Sequence, residues 1–208
     1  MVSNIRKYKG TRNVPVAREF NTIDINGDVS QWATVMPEYF DYHGDTKSRD
    51  AYSYVGNFHY INNTGRNDLV SMKVAMDEEY VYFYARCAED ITKEEGTNWM
   101  NLFINSDRRY DNGWHGYDYV INRARKNGKA DVEAFIGGWT SIKVGEADYN
   151  VTGNIMQIKV NRKLIKVDSS FEFKWADNSV DDGDIMEFMD KGDCAPNMRF
   201  NYIYVNEA

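Results

Sequence analysis

The sequence predicts an all-β protein, a two-sheet antiparallel β-sandwich. About ten short segments alternate apolar and polar residues with a period of two, which is typical of strands with two unlike faces. Turn residues separate these segments at short intervals, and no long segment carries the period of an amphipathic helix. Aromatic residues make up 14% of the 208 residues and include fifteen tyrosines, which suits strands with one half-wet face.

The charge and the apolar runs argue against two classes of partner. The net charge is −7, and the acidic residues concentrate in loops, whereas nucleic-acid phosphates require basic patches. No apolar run approaches the roughly 20 residues of a membrane-spanning helix. The N-terminus also lacks the apolar region of a signal peptide. We therefore expect no nucleic acid and no membrane, and either a cytoplasmic protein or a piece of a longer secreted one.

The chain is predicted to begin with a linker and to continue as one domain. Residues 1–20 are basic and show no clean periodicity, so they are interpreted as a linker or an extended segment leading into the domain. Nothing in the composition divides residues 21–208, which we assign to a single β-sandwich. A short strand is predicted at 23–25. Asp28 is then placed to cap one helical turn that carries Trp32.

Residues 36–68 are predicted to be a long aromatic-rich insertion. They are the least regular part of the chain and contain many turn residues. We expect an ordered excursion packed over the sandwich, because packing explains so many rings better than disorder does. The rings are Tyr39, Phe40, Tyr42, Tyr52, Tyr54, Phe58 and Tyr60.

Strands are predicted to follow in quick succession from residue 70 onwards. Val70, Met72, Val74 and Met76 form one inward face, and an acidic turn leads into the next strand. The further candidates are 80–88, 99–105, 119–122, 132–136, 140–144, 155–160, 171–175 and 199–205.

The two cysteines are too few for a disulfide framework. Cys87 shares a strand face with Val81, Phe83 and Ala85, which predicts a buried free thiol. Cys194 falls in a predicted loop, and the sequence gives no support for a bond between the two.

Six segments resemble a family 9 carbohydrate-binding module, within the wider set of DOMON-like sandwiches. This resemblance covers roughly residues 21–205 and implies a jelly-roll-like sandwich that is appended to a secreted glycoside hydrolase and often carries structural calcium. It favours an extracellular or cell-surface location, with the signal peptide elsewhere in a longer chain. Polysaccharide or oligosaccharide and neighbouring domains are the implied partners. The segments are INGDVSQW (25–32), DEEYVYFY (77–84), NLFINSD (101–107), YVIN (119–122), MQIKV (156–160) and FEFKWAD (171–177).

The resemblance places a sugar site on one sheet face, with departures from the family pattern. Asn101, Asn122 and Lys174 fall at its polar positions, although Asn101 stands where a glutamate is expected and Val120 where an arginine is expected. Neither of the two tryptophans that sandwich the sugar in the family is matched; the second would fall near Asp193. The predicted carbohydrate-binding residues are Trp99, Asn101, Asn122, Lys174, Asp193 and Arg199.

Trp99 is the predicted platform for the sugar. It alternates with Met100, Leu102 and Ile104 and therefore shares a face with Asn101, where an exposed ring beside amides suits sugar binding. The alternative is that Trp99 packs under the 36–68 insertion. Three other tryptophans are interpreted differently: Trp175 as core, and Trp114 and Trp139 as rings that either stack on sugars or plug the ends of the sandwich.

A calcium site is predicted in the loop between the strands at 99–105 and 119–122. Asn105, Asp107, Asp111 and Asp118 offer hard oxygen ligands at short spacing, and Gly113 and Gly116 let the loop curl. The alternative is a solvated acidic loop. A second acidic run is predicted to face solvent; it comprises Asp177, Asn178, Asp181, Asp182 and Asp184.

The sequence favours a binding module over an enzyme. No nucleophile motif appears, nothing places two carboxylates together, and the three histidines lack metal-ligand spacing. The first hypothesis is a non-catalytic carbohydrate-binding module that targets a secreted glycan-active protein to polysaccharide. The second is a structural accessory β-sandwich of a larger secreted protein that has lost sugar binding.

Overall fold

The computed structural model describes residues 14–46, 49–54, 57, 59–178, 183–189 and 192–208. Residues 1–13 of the predicted linker lie outside this set, as do Phe58, Asp181 and Asp182. Within it, the protein is almost entirely β, as predicted. The helical elements described are two short 3-10 helices, Val29–Trp32 and Ile185–Met189, and neither is long and apolar enough to cross a membrane.

The described residues form thirteen strands, and most lie where the alternation predicts them. Their bounds are β1 Glu38–Phe40, β2 Arg49–Tyr52, β3 His59–Asn62, β4 Leu69–Met76, β5 Tyr80–Cys87, β6 Asn101–Asn105, β7 Tyr119–Lys126, β8 Lys129–Gly137, β9 Thr140–Thr152, β10 Ile155–Asn161, β11 Ser170–Asp177, β12 Asp193–Ala195 and β13 Tyr202–Val205.

Eleven of these strands belong to one antiparallel sheet, in the order β1-β4-β5-β10-β9-β8-β7-β6-β11-β12, with β13 also paired to β11. The hairpin β2–β3 forms a separate two-stranded sheet within the aromatic-rich insertion.

The large sheet folds back on itself, so its two halves face each other as a sandwich. Phe83 on β5 lies 5.9 Å, between ring centroids, from both Phe171 and Phe173 on β11, although the two strands are far apart in the sheet order. Tyr39 on β1 meets Phe173 edge-on at 5.2 Å. The core lies between the halves and contains Trp175, which is fully buried as predicted.

Two hydrogen bonds tie the edge strand β1 to β13. The Tyr39 hydroxyl donates to the carbonyl of Ile203 at 2.9 Å, and the Tyr202 hydroxyl donates to the carbonyl of Phe40 at 2.9 Å. An edge strand carries backbone groups that need partners, and here tyrosine side chains from both strands supply them.

The prediction of a capped helical turn near the start of the domain is confirmed, but the prediction of a short strand before it is wrong. Asp28 accepts a 2.7 Å hydrogen bond from the backbone N–H of Ser30 and begins the 3-10 helix that ends at the buried Trp32. Residues 23–25 join no sheet. The backbone N–H and carbonyl of Asp24, which a partner strand would bond, instead form hydrogen bonds with the side chain of Gln31.

Both cysteines are free and buried. This confirms the prediction for Cys87. Cys194 lies on β12 rather than in a loop, because β12 pairs with the end of β11 and brings Cys194 opposite Ala176.

The described part of the aromatic-rich insertion contains the strands β1, β2 and β3, yet several of its rings are not packed over the sandwich. Tyr39 is buried, as expected. Phe40, Tyr42, Tyr52 and Tyr54 are instead exposed, by 66–103% of their reference area. The prediction of packing is therefore wrong for these four rings, and the insertion presents an aromatic surface.

Candidate functional site

The sheet face predicted to bind sugar exists but is covered. Asn101 and Lys174 do share a face, since Lys174 pairs with Phe103 and Ala176 pairs with Asn101 across β6 and β11. Both side chains are buried, at 1% and 0% exposure, so the prediction of a solvent-facing sugar surface here is wrong. The Asn101 amide donates to the carbonyl of Thr97 at 3.0 Å, and the Lys174 ammonium donates to the carbonyl of Pro196.

A second aromatic cluster forms the cover over this face. Its centre is Phe103, whose ring centroid lies 5.6 Å from that of Trp114 and 4.9 Å from that of Phe188. The Trp114 indole N–H donates to the carbonyl of Gly183 at 2.8 Å, which fixes the ring in place. Trp139 packs against Trp114 at 4.4 Å. For Trp114 and Trp139, the structure therefore favours rings that close the end of the sandwich over rings that stack on sugars.

Trp99 is buried on the other side of the sheet, so its prediction as an exposed platform is wrong. It is 2% exposed, its indole N–H donates to the carbonyl of Thr92 at 3.0 Å, and the Arg125 guanidinium lies 4.9 Å from the ring centroid. The reason is the neighbouring residue: Met100 has a φ of +48°, which breaks the alternation before β6 begins at Asn101. Both Trp99 and Met100 therefore belong to the main core.

Asn122 holds this irregular backbone rather than facing solvent. It is fully buried, and its amide nitrogen donates to the carbonyls of Trp99 and Met100 at 2.9 and 3.0 Å. Its own φ is +81°, and the pairing of β7 with β8 shifts register between Ile121 and Arg125. Asn122, which the resemblance assigns to sugar binding, therefore stabilises the backbone of Trp99 and Met100.

The loop predicted to bind calcium is closed by its own hydrogen bonds. Asp107 accepts from the backbone N–H of Arg109, Asp111 forms an exposed ion pair with Arg109, and Asp118 accepts from the N–H and hydroxyl of Ser106. Asn105 is fully buried, and its amide donates to the carbonyl of Arg109. The Asn112 amide nitrogen donates to both Asp107 and Asp118, at 3.0 and 3.1 Å. Among the described residues, the three acidic side chains whose oxygens lie within 4.8 Å of one another are different ones.

The two loop glycines are needed for this closure, as predicted. Gly113 has a φ of +54°, and a Cβ added there would lie 2.0 Å from the carbonyl oxygen of Tyr117. Gly116 has a φ of +92°, and a Cβ there would lie 2.9 Å from the carbonyl oxygen of Arg109.

Gly113→Ala is expected to destabilise the protein by about 2–5 kcal/mol, from left-handed strain together with the backbone clash. Gly96→Ala is the matched control, because Gly96 also has a positive φ, +68°, but its Cβ would meet nothing within 4 Å. The control should cost only about 1–2 kcal/mol. Urea unfolding of the three proteins measures both values, and equal losses would contradict the clash.

The second acidic run is not uniformly solvent-facing. Asp177 is fully buried and accepts from the Arg66 guanidinium at 2.9 and 3.2 Å and from the N–H of Met100 at 3.0 Å. The prediction is wrong for Asp177, because β11 continues through it to pair with β12.

A different group of acidic side chains meets at the edge of the sandwich. Asp41 and Asp45 follow β1, Asp193 begins β12, and one carboxylate oxygen of each lies within 4.8 Å of the others. Asp193 is 1% exposed, and its two oxygens accept from the backbone N–H groups of Leu69 and Cys194 at 2.7 and 2.8 Å. We call Asp41, Asp45 and Asp193 the acidic pocket.

Several buried oxygens at the acidic pocket have no hydrogen-bond donor among the described residues. They are Oδ2 of Asp41, Oδ1 of Asp45 and the hydroxyl oxygen of Thr46, a residue that is fully buried. The remaining oxygens of Asp41 and Asp45 both accept from the amide of Asn197. Buried polar atoms in native proteins normally have a partner, so bare acceptors at one place indicate a missing ligand or ion.

The acidic pocket is electrostatically unfavourable without a counter-charge. Burial, with the charges of Asp45 and Asp68 adding to it, raises the pKa of Asp41 to about 6. Burial and the neighbouring carboxylates also raise the pKa of Asp193 well above its usual value. Burial in turn lowers the pKa of Lys174. The carboxylates of Asp41 and Asp193 thus favour protonation or a cation.

The two chain segments that carry Asp41 and Asn197 also carry exposed apolar side chains. Phe40 and Tyr42 precede and follow Asp41 in the chain, and Met198 and Phe200 follow Asn197; their exposures range from 46% to 74%. The Asn197–Asp41 and Tyr202–Phe40 hydrogen bonds join the two segments. We call Phe40, Tyr42, Met198 and Phe200 the aromatic rim.

Comparisons with protein-family models and with curated proteins found no match to this chain.

The six residues predicted to bind sugar therefore divide into two groups. Lys174 and Asp193 lie at the acidic pocket, where each contributes to the electrostatics, and Arg199 is exposed beside the rim. Trp99, Asn101 and Asn122 lie elsewhere and are engaged in internal hydrogen bonds. Asp41, Asp45 and the rim were missed. The signal available was the string of rings around Asp41, which was interpreted as packing.

Proposed function

We propose that the chain is a non-catalytic carbohydrate-binding module, and that it contacts sugar at the aromatic rim rather than on the covered sheet face. The observation that carries this proposal is the exposure of Phe40, Tyr42 and Phe200 in the two chain segments that the hydrogen bonds between Asn197 and the aspartates join. Its place within a longer secreted, glycan-active protein is part of the same proposal and rests on the family resemblance.

This arrangement has the chemistry that sugar binding needs. The apolar C–H faces of a sugar ring stack on exposed aromatic rings, and its hydroxyls exchange hydrogen bonds with carboxylate and amide groups. The rings of the rim are largely open to solvent, so affinity should be low. We expect dissociation constants in the micromolar to millimolar range, about −8 to −4 kcal/mol.

The geometry also favours binding over hydrolysis. A glycosidase needs two carboxyl groups that flank the same glycosidic bond. In the acidic pocket, Asp193 is 1% exposed and engaged by two backbone N–H groups, so a sugar at the rim does not reach it.

Tyr42→Ala is expected to weaken binding of the isolated domain to a retained polysaccharide by at least tenfold in affinity electrophoresis. Glycan-array screening would first identify that polysaccharide. The ring is 74% exposed, so the melting temperature should change little. Phe20→Ala is the matched control: Phe20 is 51% exposed but next to Asn21, which bonds to Met76 at the other end of β4. Unchanged binding by Tyr42→Ala and Phe40→Ala alike would contradict the rim as the contact surface.

A second candidate function is a structural accessory domain that has lost sugar binding. The observation that favours it is the aromatic cover of Phe103, Trp114 and Phe188 over the sheet face where the resemblance places the sugar. Failure of the unmodified domain to bind any glycan on the array, while it remains folded, would support this candidate instead.

A further inference from the structure

We propose that the acidic pocket is a binding site for one divalent cation of the calcium class, held by the carboxylates of Asp41, Asp45 and Asp193. This site is separate from the loop at residues 105–118 and does not depend on whether the rim binds sugar. Its ligands come from two parts of the chain about 150 residues apart, which the fold brings together at the junction of β1, β4 and β12.

The first argument is that the pocket presents acceptors without donors. Oδ2 of Asp41 and Oδ1 of Asp45 are buried and have no hydrogen-bond partner among the described residues. Thr46, next to Asp45, is fully buried, and its hydroxyl oxygen is also without a partner there. A buried unsatisfied acceptor costs about 1–3 kcal/mol, and more when it is charged. A cation that touches these oxygens removes that cost.

The second argument is the balance of charge. Asp68 adds a fourth carboxylate nearby, because its Oδ2 accepts a hydrogen bond from the backbone N–H of Gly44, next to Asp45. Lys174 is the cationic side chain buried with them, and Arg49 reaches the backbone carbonyl of Asp45. His43 lies 3.8 Å from Asp68 but is 71% exposed. The three aspartates that meet therefore bring three carboxylates to one point, while the buried Lys174 ammonium donates to the Pro196 carbonyl.

The ligand set favours calcium over other metals. Carboxylate and hydroxyl oxygens are hard ligands, which suit calcium or magnesium rather than zinc or copper. Calcium–oxygen distances of about 2.3–2.6 Å allow opposite ligands to lie about 4.6–5.2 Å apart, so oxygens within 4.8 Å of one another fit one calcium ion. Magnesium requires about 2.0–2.1 Å and near-octahedral geometry, which an irregular set of three aspartates meets less well.

The test begins with protein unfolded in denaturant with chelator, freed of metal and refolded, then titrated with calcium chloride by calorimetry. We expect one equivalent to bind and the melting temperature to rise. Asp41→Asn and Asp45→Asn should each weaken calcium binding at least tenfold. Asp107→Asn is the matched control, because Asp107 belongs to the loop at 105–118, and it should bind calcium like the unmodified protein.

Three outcomes would overturn the proposal. They are no heat and no rise in melting temperature for the refolded protein, normal calcium binding by both pocket variants, and loss of binding in Asp107→Asn alone. Far-ultraviolet circular dichroism identifies any variant that fails to fold. Elemental analysis of protein purified without chelator is the second measurement. About one calcium per chain in the unmodified protein and in Asp107→Asn, with less than a tenth of that in folded Asp45→Asn, would support the site.

Discussion

Trp99→Ala is expected to lower the free energy of unfolding by about 3–5 kcal/mol, the usual cost of truncating a buried tryptophan. The ring is 2% exposed, packs edge-on against Tyr149 with 6.5 Å between ring centroids, and donates a hydrogen bond to Thr92. Its removal leaves a cavity in the main core and an acceptor without its donor. The guanidinium of Arg125 also loses the ring over which it lies.

Urea unfolding monitored by circular dichroism measures this loss, and Tyr42→Ala serves as the comparison because Tyr42 is 74% exposed. Tyr42→Ala should change the free energy of unfolding by less than about 0.5 kcal/mol. If both substitutions were equally mild, Trp99 would be a surface residue, and the sheet face would again be the preferred sugar site.

Arg66→Met is expected to destabilise the protein by about 3–5 kcal/mol, because it removes the partner of a fully buried carboxylate. Asp177 accepts two hydrogen bonds from the Arg66 guanidinium and a third from the backbone of Met100. Methionine retains much of the volume of the arginine stem, so the loss should come mainly from the unpaired charge.

A double-mutant cycle separates the charge from the packing. Asp177→Asn removes the negative charge while keeping an oxygen that accepts from Met100. Arg66→Met combined with Asp177→Asn should therefore be more stable than Arg66→Met alone, by about 1–3 kcal/mol. A double variant that is less stable than either single variant would mean that the pair acts through packing rather than through charge.

The fold class could be predicted because local alternation survives in most of the strands. In β5 and β11 the residues predicted to face inward are buried, and so are Met72, Val74 and Met76 on β4. The prediction is wrong for Val70, which is only half-buried because the register of β4 shifts between Leu69 and Ser71. The acidic turn before Tyr80 lies where it is expected. The alternation failed at Met100, whose positive φ reverses the face of the residue before it. A backbone conformation of this kind leaves no trace in the spacing of apolar residues, so Trp99 was placed on the wrong side of the sheet.

The candidate site was harder to predict because its residues are far apart in sequence. Asp41 and Asp193 meet only after β1 and β12 take their places beside β4, whereas the four oxygen-bearing side chains at 105–118 are close together in the chain. Short spacing predicts a metal site at 105–118, where Asp107 and Asp118 accept hydrogen bonds from within the loop. The exposure of Phe40 and Tyr42 was equally hidden, since a ring that packs and a ring that faces solvent have the same sequence signature.

The tie between β1 and β13 has a consequence for the order in which the protein folds. The hydrogen bond from Tyr39 to Ile203 joins residues separated by 164 positions, while β7, β8, β9 and β10 pair with their immediate neighbours in the chain. Pairing two strands that are neighbours in the chain closes a short loop and costs little conformational entropy. The contact between Tyr39 and Ile203 closes a loop of the whole intervening chain and costs more. During synthesis, the central meander can form as it emerges, but β1 can gain its tie to β13 only after residue 203 has left the ribosome.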